Sequence, residues 1–310
     1  MKKFRRPFLA LHHDAWLMAA HFLICVAMMF LLLGHESHAN VCTPLPTSNA
    51  KIIITPSKND TATIESAIKL LPRGGTLILQ DGTYMIDALK SVRLKSNMTL
   101  ILSQKATLKG LPDNKESSAV LNLSNVSNVN VVGTGTIEGN RYQRSDREHT
   151  HGHGILIWNS KNVVIEGITT INAQGDGIYI GGTGYGKYIT LCNVIANNNR
   201  RQGISIVDGK NISIRGSRFY NTHGDTNPEC GMDIEPNPGQ YVDNVYIYAS
   251  RFSYNANCGL VLNSHRGPIS NVLIKNSRVD LNIKHGMIFA GKINNLELYN
   301  NVAQEEIYIK

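Results

Sequence analysis

After residue 40 the chain has no second long apolar run, no Ser/Gly/Pro-rich linker and no block of basic residues. The first absence excludes a membrane-spanning helix from that part of the chain, the second favours one domain over several, and the third argues against nucleic acid as a partner. Cysteine is scarce as well. Of the five, Cys25 lies in an N-terminal leader, leaving Cys42, Cys192, Cys230 and Cys258. An even number in an oxidising compartment permits disulfides without fixing them.

The leader itself is well marked. A basic stretch, MKKFRRPFLALHHD, precedes the 18-residue apolar run WLMAAHFLICVAMMFLLL and a small-residue exit, SHAN. The order is that of a secretory signal, residues 1–39, with cleavage expected after Ala39. An uncleaved anchor is the alternative, because the run approaches the ~20 residues that span a bilayer. Either way residues 40–310 are expected outside the cytoplasm, as a secreted, periplasmic or cell-surface domain. Removing the leader takes away Lys2, Lys3, Arg5, Arg6, Asp14 and Glu36, which lowers the net charge from +8 to about +6. A moderately basic exported domain suits an acidic polymer.

From residue 152 the sequence repeats. HGILI, DGIYI, QGISI, CGMDI, CGLVL and HGMIF share the form x-Gly-apolar-x-apolar, with glycines at 154, 177, 203, 231, 259 and 286. A second alternating run follows each phrase (NVVIEG, KYITLC, NISIRG, NVYIYA, NVLIKN, NNLELY), and then a short third element such as GSRFYN or ASRFSYN. Three period-2 strands per repeat, with no 3.6-residue period between them, predict an all-β, single-stranded right-handed parallel β-helix in which each repeat is one turn. Asn172, Asn198, Asn221, Asn255 and Asn282 are expected to close the third elements at corners. Upstream, Ile64, Ala67, Ile68 and Leu71 lie on one face of an expected capping helix over about 61–72, ended by Gly74-Gly75.

The order NDT, ATIESAI, GG, TLIL, GTY, LKSNMTLIL, ATLKG, NVNVVGTGTIEGN resembles the N-terminal half of the pectate-lyase-like superfamily, which includes polygalacturonase and rhamnogalacturonase relatives. The repeats that follow resemble its generic right-handed β-helix members. The resemblance implies the β-helix fold and chemistry on polysaccharides. Polygalacturonase-type hydrolases carry Asn-Thr-Asp, Asp-Asp, Gly-His-Gly and Arg-Ile-Lys on successive turns. Here Gly152-His153-Gly154 lies upstream of the expected acids, and DGIYI offers Asp176 alone.

Alternation along each phrase places the apolar residues after Gly inward, and Gly with the residues two and four beyond it outward. Asp233 and Glu235 are then neighbours on the outer face, flanked in adjoining turns by Ser205, Asn263, Tyr179 and Trp158. Adjacent loops add Arg200, Arg201, Gln202, His223, Asp225, Glu229, His265 and Arg266. Aromatic faces stack on sugar rings, and paired acids and bases move protons. Candidate catalytic groups are therefore Asp233, Glu235, Tyr179, His223 and Asp176; Arg201, Gln202, Asn263, His265, Arg266 and Trp158 are candidate substrate contacts. Asp225, Asp233 and Glu235 form a candidate Ca²⁺ cradle. His151 and His153 have metal-like spacing, but without a partnering acid pattern they read more as a loop histidine cluster. Arg218, Arg251 and Arg278 recur at one place in three turns, either as a solvated stripe or as a rail for a polyanion. Cys230 and Cys258, one turn apart, fit a disulfide or a buried ladder.

Three functions fit these residues. A lyase or C5-epimerase on a uronate polymer would use Tyr179 or His223 as base, with Arg, Ca²⁺ or a protonated acid neutralising the sugar carboxylate. An inverting hydrolase would pair Asp233 with Glu235. A binding or assembly protein would use the same strip without chemistry. Membrane contact is not expected once the leader is gone. The final strand, EEIYIK, has no capping helix after it, so its edge is an expected contact for a homo-oligomer.

Overall fold

The computed structural model describes residues 42, 44–45, 48–113, 117–143 and 151–309. The leader and its cleavage site lie outside them. No helix among the described residues is long and apolar enough to cross a membrane.

One turn shows how the chain builds the whole. Gln202–Ile206 runs in one sheet, Gly209–Arg215 in a second and Arg218–Tyr220 in a third, before the next turn restarts at Cys230. Stacked in parallel, the turns make a nine-stranded sheet I, a ten-stranded sheet II and a nine-stranded sheet III among the described residues. Residues repeat in register from turn to turn: Asp176 stacks on Gln202, Gln202 on Cys230, and Ser205 on Asp233. The inward residues of all three sheets form one apolar core from Ile64 to Phe289. Phe219 and Phe252 stack within it at 5.2 Å. The one helix among the described residues, α1 (Asp60–Lys69), is capped by the Asn59 side chain accepting from the Ala62 N–H. Its Ile64, Ala67 and Ile68 face joins that core, as the apolar spacing predicts.

Two expectations about side-chain direction change. The repeat glycines do not face outward. A Cβ on Gly203 would lie 3.1 Å from Phe219 Cβ, and one on Gly259 only 2.1 Å from Val279 Cγ1, both atoms of the buried core. Glycine stands there because the strand bends into a corner with no room for a side chain. Strict alternation therefore breaks, and the residue before each glycine is the one in the outward column: Asp176, Gln202, Cys230, Cys258 and His285 join the outer face of sheet I.

The asparagine corners divide into two columns. Asn172, Asn198 and Asn221 adopt left-handed φ of 55–56°, but Tyr254 and Leu281 hold the equivalent places in later turns, at 59° and 58°. Asn255 and Asn282 sit one residue further on and are buried, in line with Asn199. Asn255 accepts from Thr222 N–H at 3.1 Å and donates to Asn282 Oδ1 at 2.9 Å. Removing such a group strands buried partners. Asn255→Ala is expected to cost about 1–3 kcal/mol in urea denaturation; a loss below about 0.5 kcal/mol would show that the column is dispensable.

Both cysteine pairs are bonded, Cys42 with Cys192 and Cys230 with Cys258. The second bond, with Cα atoms 4.5 Å apart, crosses adjacent turns on the outer face of sheet I, where it packs with Val261 and Ile288.

Candidate functional site

The outer face of sheet I gathers most of the expected residues. Asp176, Tyr179, Arg201, Gln202, Ser205, Asp233, Glu235 and Asn263 occupy consecutive turns there. Trp158 stands one turn upstream of Gly181, beside Tyr179. Their outward columns follow from the register, but the degree of burial was not legible from alternation. Asp233 is 4% exposed, and Asp176, Gln202 and Ser205 are fully buried. Outward residues of adjoining turns stack closely enough to exclude water from one another, so this strip has a lower layer and an upper one.

In the lower layer, Arg201 clasps Asp176 with two parallel bonds of 2.9 Å, Nε to Oδ1 and Nη2 to Oδ2. This fork-to-fork geometry fixes the guanidinium. Burial works against the Arg201 charge, but Asp176 more than offsets it and raises the pKa above the usual value. Nη2 also reaches Ser205 Oγ at 3.3 Å. His153 completes the cluster, its Nδ1 3.5 Å from Asp176 Oδ2 and its ring stacked on Tyr179 at 4.6 Å. Burial pushes His153 down to about 4, against the pull of Asp176, so its imidazole is neutral at pH 7. Burial and then the Asp176 charge push Tyr179 up to about 12, which makes it a poor base.

Asp233 is the most perturbed carboxyl. Burial first, and the neighbouring Glu235 charge second, push it up to about 8, with Arg201 opposing. Its burial has visible causes: Ser205 stacks on one side and Val261 on the other, and Val261 packs with the Cys230–Cys258 disulfide. Gln202 holds it from below, accepting from the Cys230 N–H at 3.0 Å and donating to Asp233 Oδ2 at 3.4 Å. Gln202 is fully buried and holds Asp233 and the Cys230 backbone rather than standing exposed on the strip. Asp233 Oδ1 is buried without a hydrogen-bond partner. The upper layer consists of the partly exposed Trp158, Tyr179, Glu235 and Asn263. Trp158 and Tyr179 stack with centroids 6.5 Å apart, and Asn263 Nδ2 holds Glu235 Oε1 at 2.9 Å.

Other expected members lie elsewhere. His223 is in the 221–229 loop, its Nδ1 2.8 Å from the Asn221 carbonyl, and it lines a separate groove with Asn198, Tyr254 and Ile283. Asp225 donates its backbone N–H to Glu229 Oε1 at 2.6 Å in the same loop. The Ca²⁺ cradle of Asp225, Asp233 and Glu235 is not assembled: among the described residues no group of three or more His, Cys, Asp or Glu could hold a metal ion. His265 and Arg266 follow Asn263 in an exposed loop, where the His265 N–H bonds Asn263 Oδ1 at 3.2 Å. From the sequence His153 stood in the Gly-His-Gly resemblance and in a metal or loop cluster, not among the strip residues. What points to it is register, since it stands in the column of Asp176, one turn upstream.

The family model described as "Right handed beta helix region" matches residues 118–303, more than half of the chain. The chain belongs to the right-handed β-helix family. Among curated proteins it is 26% identical over 183 residues to the SPbeta prophage-derived uncharacterized protein YorA of Bacillus subtilis (strain 168). That match covers 50% of this β-helix chain and 31% of the relative, so the chain spans about a third of the curated protein it matches. Among solved structures it is similar to the A-module of the mannuronan C-5 epimerase AlgE4 of Azotobacter vinelandii, with a TM-score of 0.55 and 17% identity over 79% of this chain and 73% of that one. It is also similar to the polygalacturonase of Erwinia carotovora ssp. carotovora, with a TM-score of 0.51 and 15% identity over 87% of this chain and 97% of that one. At these identities the two likenesses speak for the fold.

Proposed function

We propose that this β-helix protein is an exported enzyme acting on an acidic, uronate-containing polysaccharide through the outer face of sheet I, as a lyase or C5-epimerase. The observation that carries the reading is the buried Asp233 carboxyl, with its Oδ1 unpartnered, beside the partly exposed Glu235; burial, with the Glu235 charge behind it, pushes Asp233 up to about 8. A buried carboxyl with a raised pKa, next to a second, partly exposed one, supplies a proton donor beside an acceptor.

The unpartnered Asp233 Oδ1 leaves hydrogen-bonding capacity in the site, and the protonated carboxyl donates to the sugar carboxylate. Glu235, oriented by Asn263, takes the C5 proton, and the C5–H electrons move into the carboxylate that Asp233 stabilises. Expulsion of the O4 leaving group as it takes up a proton completes a lyase step; return of a proton to the opposite face of C5 completes an epimerisation. Trp158 and Tyr179 offer the stacking platform. Two disulfides fit an oxidising compartment and hence export. Similarity to an epimerase and to a polygalacturonase, both named for uronate chemistry, supports the substrate class by analogy of fold.

A second reading, inverting hydrolysis, has the same pair in its favour. Carboxyls two residues apart on one strand face can be separated by the ~6.5–9.5 Å that an attacking water needs.

The test is to incubate the purified chain with alginate, polygalacturonate and neutral glucans, following unsaturated-uronate absorbance, reducing ends and solvent-deuterium uptake at C5. Absorbance with reducing ends identifies a lyase, and deuterium uptake alone an epimerase. Reducing ends without absorbance make the hydrolase reading correct, and silence on every uronate polymer contradicts the proposal.

A further inference from the structure

Sheet I leaves the opposite side of the coil unused, and there the outer surface has its own order. The last outward residues of four successive sheet II strands stack in register as Arg215, Tyr248, Lys275 and Tyr299, alternating cation and aromatic ring. The contacts follow the alternation: Arg215 Cζ lies 5.3 Å from the Tyr248 centroid, and Lys275 Nζ 5.2 Å from that of Tyr299. Two-residue corners separate this column from the first residues of sheet III, where Arg218, Arg251 and Arg278 stack in register in the same turns. The arginine column expected from the sequence is therefore one half of a wider feature.

Its scaffold is rigid. At the corner the Ser217 N–H donates to Ser250 Oγ at 3.2 Å, and the Ser250 N–H to Ser277 Oγ at 3.2 Å, forming a buried serine ladder. Its charge is poorly neutralised. Among the described residues the only ion-pair partner of these five cations is Asp280, which bonds both Arg251 and Arg278. Those two arginines keep 41% and 58% of their side chains exposed, and Arg218 is exposed as well. A stripe serving only to keep the protein soluble has no reason to interleave tyrosines at every second turn. Nor do like charges stack at ~4.8 Å without cost.

We propose that the corner between sheets II and III is a second binding site, separate from sheet I, that holds a chain of an acidic polysaccharide along the axis of the coil. Tyrosine rings add apolar surface against which sugar faces pack, and the cations between and beside them pair with the carboxylates. The turns advance by ~4.8 Å, comparable to the rise of one pyranose in an extended glycan, so successive sugars meet successive turns. The ligand class is shared with the reading of sheet I, but the site rests on its own residues.

The test uses the full chain in affinity gels containing polygalacturonate, alginate, dextran or double-stranded DNA. Two variants are compared with the parent: Arg215→Gln/Arg218→Gln/Lys275→Gln, and Tyr248→Ala. All four substituted positions are outward, and circular dichroism and melting establish that the variants fold. In the uronate gels retardation should weaken about tenfold for the triple variant and several-fold for Tyr248→Ala. It should also fall with added salt, and dextran should retard neither. Turnover of a uronate trisaccharide, too short to reach both faces, should be unchanged. Unaltered retardation of the triple variant would overturn the second site while leaving sheet I untouched. Retardation of the parent that the triple variant loses, in a protein that never turns over uronates, would support the second site and sink the sheet I reading instead. Equal loss in DNA gels, with Tyr248→Ala silent, would overturn the sugar assignment in favour of plain polyanion attraction.

Discussion

Asp233→Asn is expected to abolish turnover and, at pH 8, to make the protein more stable. An amide has the shape of the protonated carboxyl and can still donate a hydrogen bond, but it cannot yield a proton to the sugar carboxylate as negative charge builds there, and loss of a positioned proton donor slows reaction by about 10²–10⁴-fold. The stability gain follows from linkage. Asp233 titrates near 3.8 in the unfolded chain and near 8 when folded. Between those values the unfolded chain releases the proton and the folded protein keeps it, so Asp233 makes stability fall as pH rises.

His153 acts in the opposite sense. Its pKa drops from 6.5 to about 4 on folding, so over that interval the unfolded chain binds the extra proton and stability rises with pH. The two contributions oppose each other up to about pH 6.5. From there towards pH 8 only Asp233 acts, and its slope approaches a loss of about 1.4 kcal/mol per pH unit. Urea denaturation across pH 5–9 should show that decline in the parent and its disappearance in Asp233→Asn. Parallel pH profiles for the two would mean that Asp233 is ionised when folded.

Breaking the ion pair beneath the strip should have the larger structural cost. Asp176→Asn leaves the Arg201 guanidinium without its bidentate partner in a largely buried place, and loss of one member of a buried pair costs about 3–5 kcal/mol. The effect on chemistry is separable from that cost. With Asp176 neutral, one of the charges raising Asp233 is gone, while Arg201, which lowers it, remains. The alkaline limb of the turnover profile should therefore move to lower pH in whatever folded fraction survives. A variant that melts early but keeps the parental profile would reduce Asp176 to a structural role.

The periodicity of the sequence sufficed for the fold, because three period-2 strands per repeat with a glycine phrase leave little choice but a parallel coil. It also carried Asp233 and Glu235 to the outer face. What it missed arises from stacking between turns, which a single strand cannot reveal. The glycine that looked like an outward residue fills an inward corner, and that inversion puts Asp176 and Gln202, already expected at the site, in the outward column of the strands themselves. Burial of Asp233 depends on Ser205 and Val261, its neighbours 28 residues away in either direction along the chain. His223 and Asp225 were drawn in by sequence proximity to CGMDIEPN, yet the loop that carries them turns to another face.

A ¹³C titration of the Asp233 carboxyl, assigned by comparison with Asp233→Asn, measures directly whether this carboxyl is uncharged at neutral pH. A midpoint near 8 is the expected result. A midpoint near the ordinary value of 3.8 would contradict the burial argument and remove the acid from the proposed chemistry.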